Sequence, residues 1–183
     1  MRPGGGKEKG SSFERALCEM LSMWYSEGEY RDLCWRATTS GARGTVTRTR
    51  TKSFHGDICA TSPLMEDVLS QFSIEAKHYT AVEVMEVVRP MQSMLLDFWK
   101  QSLKSAVMSK RIAVLIWKMN FRPEILCVPL KVGWALAPLM SRQLNYVALG
   151  NKVMMVNFKD ALKHLDVKKF KRWVDAKEYR LYV

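Results

Sequence analysis

The spacing of apolar residues at the start of the chain predicts an α-helix. They recur every three to four positions, which is one face of a helix that ends before Gly28. Ser11 or Ser12 is predicted to cap this helix. Residues 1–10 are glycine-rich and charged, which favours a flexible N-terminal tail. The apolar residues of the helix are Phe13, Leu17, Met20, Leu21 and Trp24.

The rest of the chain alternates between extended and helical patterns. Strands are predicted at 33–38, 56–60, 71–79, 111–119, 125–128 and 152–158. Helices are predicted at 160–165 and at 81–108, the latter interrupted near Pro90. The continuous apolar run in 111–119 favours a central strand covered on both faces. The order helix, three strands, helix, strand (αβββαβ) predicts an α/β fold over residues 11–183, with a small mixed sheet flanked by helices.

The charge balance points to a polyanionic partner. The 183 residues include 29 Lys and Arg against 18 Asp and Glu, which gives a formal net charge of +11. Such an excess suits nucleic acid, because basic side chains that neutralise phosphates release condensed counterions. A merely basic soluble protein, or one that touches acidic lipid, is the alternative. No apolar run is long enough to span a membrane.

The four cysteines are scattered and form no CxxC pair, so neither a zinc site nor a disulfide framework is indicated. Their apolar surroundings predict buried side chains and a reducing compartment. We therefore expect a cytoplasmic protein of a bacterial, archaeal or phage-infected cell.

Two basic segments are candidates for contact with DNA. The loop 41–55 has almost no aliphatic content, and its basic residues alternate with threonines that could follow a phosphate backbone; a solvated loop is the alternative. Its basic residues are Arg43, Arg48, Arg50 and Lys52. A second cluster surrounds two aromatic residues near the C-terminus and could clamp DNA, or could be an ordinary amphipathic helix. It comprises Lys168, Lys169, Phe170, Lys171, Arg172 and Trp173.

Candidate chemistry is concentrated in two predicted strands. Glu75 and Lys77 are two positions apart, so they point to the same side of their strand. Asp57 lies on the preceding strand, which is the expected hairpin partner, and pairing would place it beside Glu75. Two carboxylates suit Mg²⁺ or Mn²⁺, and the lysine can offset charge on a phosphate. The alternative is a solvated cross-strand pair of Glu75 and Lys77.

Glu14 is a third candidate carboxylate. It borders the apolar stripe of the first helix near Leu17, Cys18 and Leu21, so it could point inward; a solvent-facing acid in a first helical turn is the alternative.

These motifs resemble the PD-(D/E)XK nuclease superfamily. The signature is carried by Gly56-Asp57-Ile58 and Ile74-Glu75-Ala76-Lys77. Residues 9–15, where a glycine precedes Phe-Glu-Arg, resemble the opening helix of archaeal-type Holliday junction resolvases. The Ser40-Gly41 step and Gln92 in the helix after the lysine strand are also similar to those enzymes. Small phage-encoded endonucleases of the superfamily look alike too.

The resemblance implies a restriction-endonuclease-like fold and a role for each matched residue. Glu14, Asp57, Glu75 and the Ala76 carbonyl would hold Mg²⁺, with Mn²⁺ as a possible substitute. Lys77 would be the catalytic lysine, and Ser40 would contact the scissile phosphate or assist the site. Gln92 joins the basic loop 41–55 as a candidate for DNA contact.

The resemblance further implies a homodimeric, structure-selective DNA endonuclease similar to Holliday junction resolvases. The chain departs from the pattern in two places. Gly56 stands where a proline is frequent, and the loop 41–55 is longer and more basic than in compact resolvases. A restriction-like or nicking endonuclease for ordinary duplex therefore stays open. So does a non-catalytic DNA-binding protein on a nuclease fold.

Overall fold

A computed structural model describes residues 5–37, 56–80, 94–149 and 152–176, with side chains from residue 10 onward. Its helices are α1 (Gly5–Tyr25), α2 (Pro63–Leu69), α3 (Met94–Ser109), α4 (Leu130–Leu136), α5 (Phe158–His164) and α6 (Val167–Asp175), with a short 3-10 helix at Ala137–Leu139. Its strands are β1 (Cys34–Arg36), β2 (Ile58–Ala60), β3 (Phe72–Tyr79), β4 (Ile112–Met119), β5 (Ile125–Pro129), β6 (Tyr146–Leu149) and β7 (Val153–Asn157).

The larger of two sheets is mixed and has the strand order β3-β4-β5-β7-β6. β3 and β4 run parallel, and the other neighbours are antiparallel. Parallel neighbours need a crossover connection, and the segment containing α3 supplies it. β1 and β2 form a separate antiparallel pair. β3 is thus an edge strand of the larger sheet, and its free edge faces Asp57 at the start of β2.

Apolar clusters cover both faces of the larger sheet. On one face, α1 and α6 pack on alternate residues of β3 and β4, including Ile74 and Ile116. On the other face, α3 packs on the intervening residues, such as Leu115 of β4. β4 is therefore buried on both sides, as its unbroken apolar sequence predicts. This arrangement confirms the predicted α/β class with a small mixed sheet between helices.

The pairing of β2 corrects one prediction. β2 pairs with β1 in the register Trp35↔Cys59, so it is not the hairpin partner of β3. The reason is α2, which lies between β2 and β3 in the chain. Ser62 caps α2 by accepting the Leu64 N–H at 3.3 Å, and Pro63 occupies its first turn. A serine followed by proline is a helix-start signal, so the sequence does carry a trace of α2.

The start of the chain also differs from expectation, whereas the C-terminal cluster follows the alternative of an ordinary amphipathic helix. α1 begins at Gly5, before the predicted serine caps, so part of the segment 1–10 is helical rather than a tail. Near the C-terminus, α6 buries Phe170 and Trp173, which are 5% and 4% exposed. The aromatic residues of the C-terminal cluster therefore belong to the core and cannot clamp DNA. The exposed residues of that helix are Lys168, Lys169, Arg172 and Asp175.

Several predicted contacts lie outside the described residues. They are Ser40, the basic loop 41–55 with Arg43, Arg48, Arg50 and Lys52, the interruption near Pro90, and Gln92.

Candidate active site at the edge of β3

Asp57 is attached to the free edge of β3 by two hydrogen bonds. Its backbone N–H donates to the Ile74 carbonyl at 2.7 Å, and its Oδ2 accepts the Ala76 N–H at 2.8 Å. The N–H and C=O of one residue project to the same side of a strand, so the Ala76 carbonyl faces the same edge. Asp57 therefore reaches the lysine strand through a short bridge, although their strands do not pair.

Gly56 makes this close approach possible. Its φ of +103° is a conformation that other residues rarely adopt. A Cβ at this position would lie 2.7 Å from the Ile74 oxygen and 2.9 Å from the Ile74 nitrogen. The glycine that replaces the frequent proline of the signature thus has a structural reason, because the turn before Asp57 packs directly on the backbone of β3.

Glu75 is a buried carboxylate on the α3 side of the sheet. It is 5% exposed and accepts a hydrogen bond from the Ser105 hydroxyl at 3.0 Å and from the Gln101 amide at 3.5 Å. Burial raises the pKa of Glu75 above its ordinary value, and the Asp57 carboxylate raises it further. Lys77 and the Ser105 hydrogen bond oppose this rise. Two residues of α3 therefore help to hold this carboxylate.

Lys77 lies on the same side of β3 as Glu75, as the period of two predicts. Its Nζ is 3.4 Å from a Glu75 carboxylate oxygen, and its side chain is 19% exposed. The ammonium group is thus partly shielded from water but still reachable from the surface. A cation in this setting can contact a phosphate more strongly than one in bulk water.

Glu14 approaches the same region from α1. Its side chain is 22% exposed and lies 3.8 Å from the Arg36 guanidinium of β1. Burial raises the pKa of Glu14, and the Asp57 carboxylate adds to the rise, whereas Arg36 and Lys77 oppose it. Asp57 therefore acts electrostatically on both glutamates, which indicates that the three carboxylates share one neighbourhood around the edge of β3.

The chemistry of these donors suits a divalent metal ion with hard-oxygen preference. Carboxylate and carbonyl oxygens are the ligands that Mg²⁺ and Mn²⁺ prefer, and mutual repulsion between carboxylates is relieved by a bound cation. In the part of the chain that the structure describes, no three His, Cys, Asp or Glu side chains already converge as a ligand set. Each carboxylate instead contacts a protein group. Glu14 lies beside the Arg36 guanidinium, Asp57 accepts the Ala76 N–H, and Glu75 accepts the Ser105 hydroxyl.

Sequence reasoning missed Ser105, Gln101 and Arg36 as partners of the acidic residues. A signal for the first two was present, because polar residues four positions apart share a helix side. Arg36 is the last residue of β1, and the sequence held no such signal for it. His78 follows Lys77 in β3; its Nε2 lies 3.0 Å from the Asn120 side-chain oxygen, and its ring packs on Phe13 at 5.5 Å.

The comparison with protein families places this geometry in a known context. The model of the family described as "Phage putative PDDEXK endonuclease" matches residues 5–175. The chain belongs to this phage PD-(D/E)XK endonuclease family. The match includes Glu14, Asp57, Glu75 and Lys77, and the predicted superfamily is thereby confirmed. No curated protein and no solved structure matches the chain. Among the described helices, none is both long and apolar enough to cross a membrane.

Proposed function

We propose that this phage PD-(D/E)XK endonuclease cleaves DNA phosphodiester bonds with Mg²⁺, which Mn²⁺ can replace. The observation that carries the proposal is the bridge from Asp57 to Ala76, which brings an aspartate to the edge of the strand that bears Glu75 and Lys77. The ligands would be Glu14, Asp57, Glu75 and the Ala76 carbonyl. An aspartate can accept a backbone N–H with one oxygen and ligate a cation with the other.

Some residues of the chain would hold the cation, and others would balance charge on the phosphate. The carboxylates of Glu14, Asp57 and Glu75 would hold Mg²⁺, which would supply Lewis-acid chemistry by polarising a phosphoryl oxygen and making water more acidic. Lys77 offsets the negative charge that develops on the phosphate and orients the attacking water. Ser105 and Gln101 hold Glu75 toward α3 when no cation competes for it. The raised pKa values of Glu14 and Glu75 favour their protonated forms, so cation binding releases protons and weakens as the pH falls.

Within DNA, we propose that the preferred substrate is branched, as for Holliday junction resolvases, and that the enzyme acts as a homodimer. The net charge of +11 suits a phosphate backbone. Two symmetric cuts in a four-way junction need two active sites related by a two-fold axis, which a closed dimer provides. Ser40, Gln92 and the basic residues of the loop 41–55 remain candidates for DNA contact in this proposal.

The test compares a labelled four-way junction, a matched linear duplex and a single strand, each with Mg²⁺ or EDTA. The parent, Lys77→Ala and Lys100→Ala are assayed together. Lys100 is a suitable control because it is an exposed lysine of α3 that pairs with Asp97 at 3.2 Å. We expect Mg²⁺-dependent paired cuts in the junction, a loss of about 10²–10³-fold in Lys77→Ala, and parent activity in Lys100→Ala.

Each other outcome removes a defined part of the proposal. Equal cleavage of junction and matched duplex would retain the nuclease but contradict the preference for branches. Equal activity of Lys77→Ala and the parent would contradict the role of Lys77. DNA binding with no cleavage of any substrate would contradict the enzyme and leave a DNA-binding protein. Sedimentation of the parent as a monomer, alone and with junction, would contradict the homodimer.

A further inference from the structure

The turn between β4 and β5 presents an aromatic side chain that lies outside the core. Phe121 is 101% exposed, so its ring is not packed against the rest of the described chain. Its φ of +59° lies in the left-handed region, which a bulky side chain rarely adopts. The Arg122 N–H donates to the Met119 carbonyl at 3.2 Å and closes the turn, with Phe121 at the third of its four positions. Glycine or asparagine is usual there when φ is positive. Neither burial nor turn geometry therefore explains the phenylalanine.

This turn is attached to the strand that carries Lys77. β3 and β4 run parallel, and Tyr79 at the end of β3 pairs with Met119 at the end of β4. The Asn120 N–H donates to the Tyr79 carbonyl at 3.2 Å, and the Asn120 side-chain oxygen lies 3.0 Å from His78 Nε2. Both contacts are made with the two residues that directly follow Lys77. The turn is therefore held at the same end of the sheet as the candidate active site.

The turn also lies close enough to Lys77 to contact the same DNA strand. Lys77 pairs with Trp117, which precedes Phe121 in β4 and the turn. Neighbouring strands are about 4.8 Å apart and rise about 3.3 Å per residue, so the Cα atoms of Lys77 and Phe121 are roughly 10–15 Å apart. That distance is about three or four steps of 3.4 Å along a stacked strand. A base three or four nucleotides from a phosphate at Lys77 can therefore reach the turn.

The charges near the turn favour DNA over a second copy of the chain. Arg122 is exposed directly after Phe121. Glu124 is 4% exposed and is contacted by Lys118 at 2.7 Å and by Lys159 at 3.4 Å. The two lysines outnumber the carboxylate that they contact, so this cluster keeps a positive charge. A basic surface attracts phosphates, and here it would repel another chain with a formal net charge of +11.

We propose that Phe121 stacks on a DNA base that has an open face, as at a branch point. The inference rests on the proposed nuclease function and specifies how its substrate is selected. An apolar side chain that inserts between two bases must break their stack, and this costs least where the base is already unstacked or unpaired. In a continuous duplex both faces of each internal base are covered. The ring thus provides selectivity for distorted DNA without requiring contact with a particular sequence.

The test measures binding in EDTA, so that it does not depend on cleavage. The probes are a labelled four-way junction with 2-aminopurine beside the branch point and a matched linear duplex with 2-aminopurine at the same position in the sequence. We expect the parent to bind the junction more tightly, with a change in 2-aminopurine fluorescence. Phe121→Asn should lose at least about fivefold of the junction affinity, which is the lower end of the contribution of a base–aromatic stack. Its affinity for the duplex should equal that of the parent.

Two further variants isolate the effect of the ring. Phe121→Trp retains an aromatic face and should keep the preference for the junction. Val107→Asn is the matched control, because Val107 is 76% exposed on α3 near the start of β4, at the opposite end of that strand from the turn. The melting temperature of Phe121→Asn should equal or exceed that of the parent, because asparagine tolerates a positive φ.

Several outcomes would overturn the inference. Junction binding by Phe121→Asn at the parent level, or equal losses in Phe121→Asn and Val107→Asn, would show that the ring does not contact DNA. A lower melting temperature of Phe121→Asn would show that the ring packs on the protein. A parent dimer that Phe121→Asn dissociates, seen by sedimentation without DNA, would assign the ring to a second copy of the chain instead.

Cleavage of the same probes in Mg²⁺ separates this inference from the proposed function. Junction cleavage by the parent, with junction binding by Phe121→Asn at the parent level, would support the nuclease and refute the stacking role. Junction binding that requires Phe121, with no cleavage of any DNA, would support the stacking role and refute the nuclease.

Discussion

The hydrogen bond from Ser105 to Glu75 gives a sharp prediction about stability and pH. Ser105→Ala removes the 3.0 Å bond to a carboxylate that is 5% exposed, and the other donors are longer, at 3.4 Å for Lys77 and 3.5 Å for Gln101. A hydrogen bond to a charged group contributes about 1.5–3 kcal/mol. The better helix propensity of alanine returns up to about 0.5 kcal/mol. We expect Tm to fall by roughly 2–12 °C, since each kcal/mol shifts Tm by about 2–4 °C at this chain length.

The pH dependence of this loss identifies its cause. The Ser105 bond lowers the pKa of Glu75, so its removal raises that pKa further above the ordinary value of 4.5. The loss is therefore fully present at pH values above the raised pKa, where the carboxylate is ionised, and shrinks as the pH falls through that pKa. Denaturant unfolding at both ends of this range measures the free energy of unfolding directly.

Ser109→Ala is the matched control for this experiment. Ser109 is also on α3, but its hydroxyl bonds to the carbonyls of Ser105 and Ala106 within the helix and does not touch Glu75. Equal losses in the two variants, or a loss in Ser105→Ala that does not change with pH, would refute the assignment of Ser105 as a support of the buried carboxylate.

Three further predictions follow from burial, strain and packing. Because burial raises the folded-state pKa of Glu75 above the ordinary value of 4.5, its ionisation costs stability as the pH rises toward that raised pKa. Glu75→Gln should therefore gain stability relative to the parent as the pH rises from below 4.5 through the raised pKa, as measured by denaturant unfolding; a stability difference that does not change with pH would contradict this. Gly56→Ala should lower the free energy of unfolding by about 1–3 kcal/mol, measured in the same way, and should abolish cleavage. A variant with the stability of the parent would count against the observed turn. Phe170→Ala should lower the free energy of unfolding by about 3–5 kcal/mol, whereas Lys169→Ala should change it by no more than about 0.5 kcal/mol. Similar losses in the two variants would argue against a buried Phe170.

The sequence was most informative where burial imposes a simple period. The alternation in 71–79 predicts β3, and the unbroken apolar run in 111–119 predicts β4 between two covered faces. The shared side of Glu75 and Lys77 followed from the same period and agrees with the 3.4 Å contact. These features depend on neighbours in the chain, which is why a single sequence suffices for them.

Features that depend on distant neighbours were not predictable in the same way. Asp57 was expected beside Glu75 through a hairpin, yet β2 pairs with β1, and Asp57 reaches β3 through its hydrogen bonds with the Ile74 carbonyl and the Ala76 N–H. Strand pairing across an intervening helix leaves no periodic trace in the sequence. The basic and aromatic cluster near the C-terminus was ambiguous for another reason, because an amphipathic helix and a DNA clamp have the same composition until the partner of the apolar side is known.

The division of the candidate active site between two parts of the chain has a consequence for folding. Glu75, Lys77 and Ser105 all come from the continuous unit of β3, α3 and β4, whereas Glu14 and Asp57 come from the preceding segments. A nascent or partly unfolded chain in which only that unit has formed carries the lysine with one carboxylate. Under the proposed function, DNA hydrolysis then becomes possible only after α1, β1 and β2 have docked. Cleavage activity should thus be the last property to appear during refolding, so a chain that is still folding should not cleave DNA.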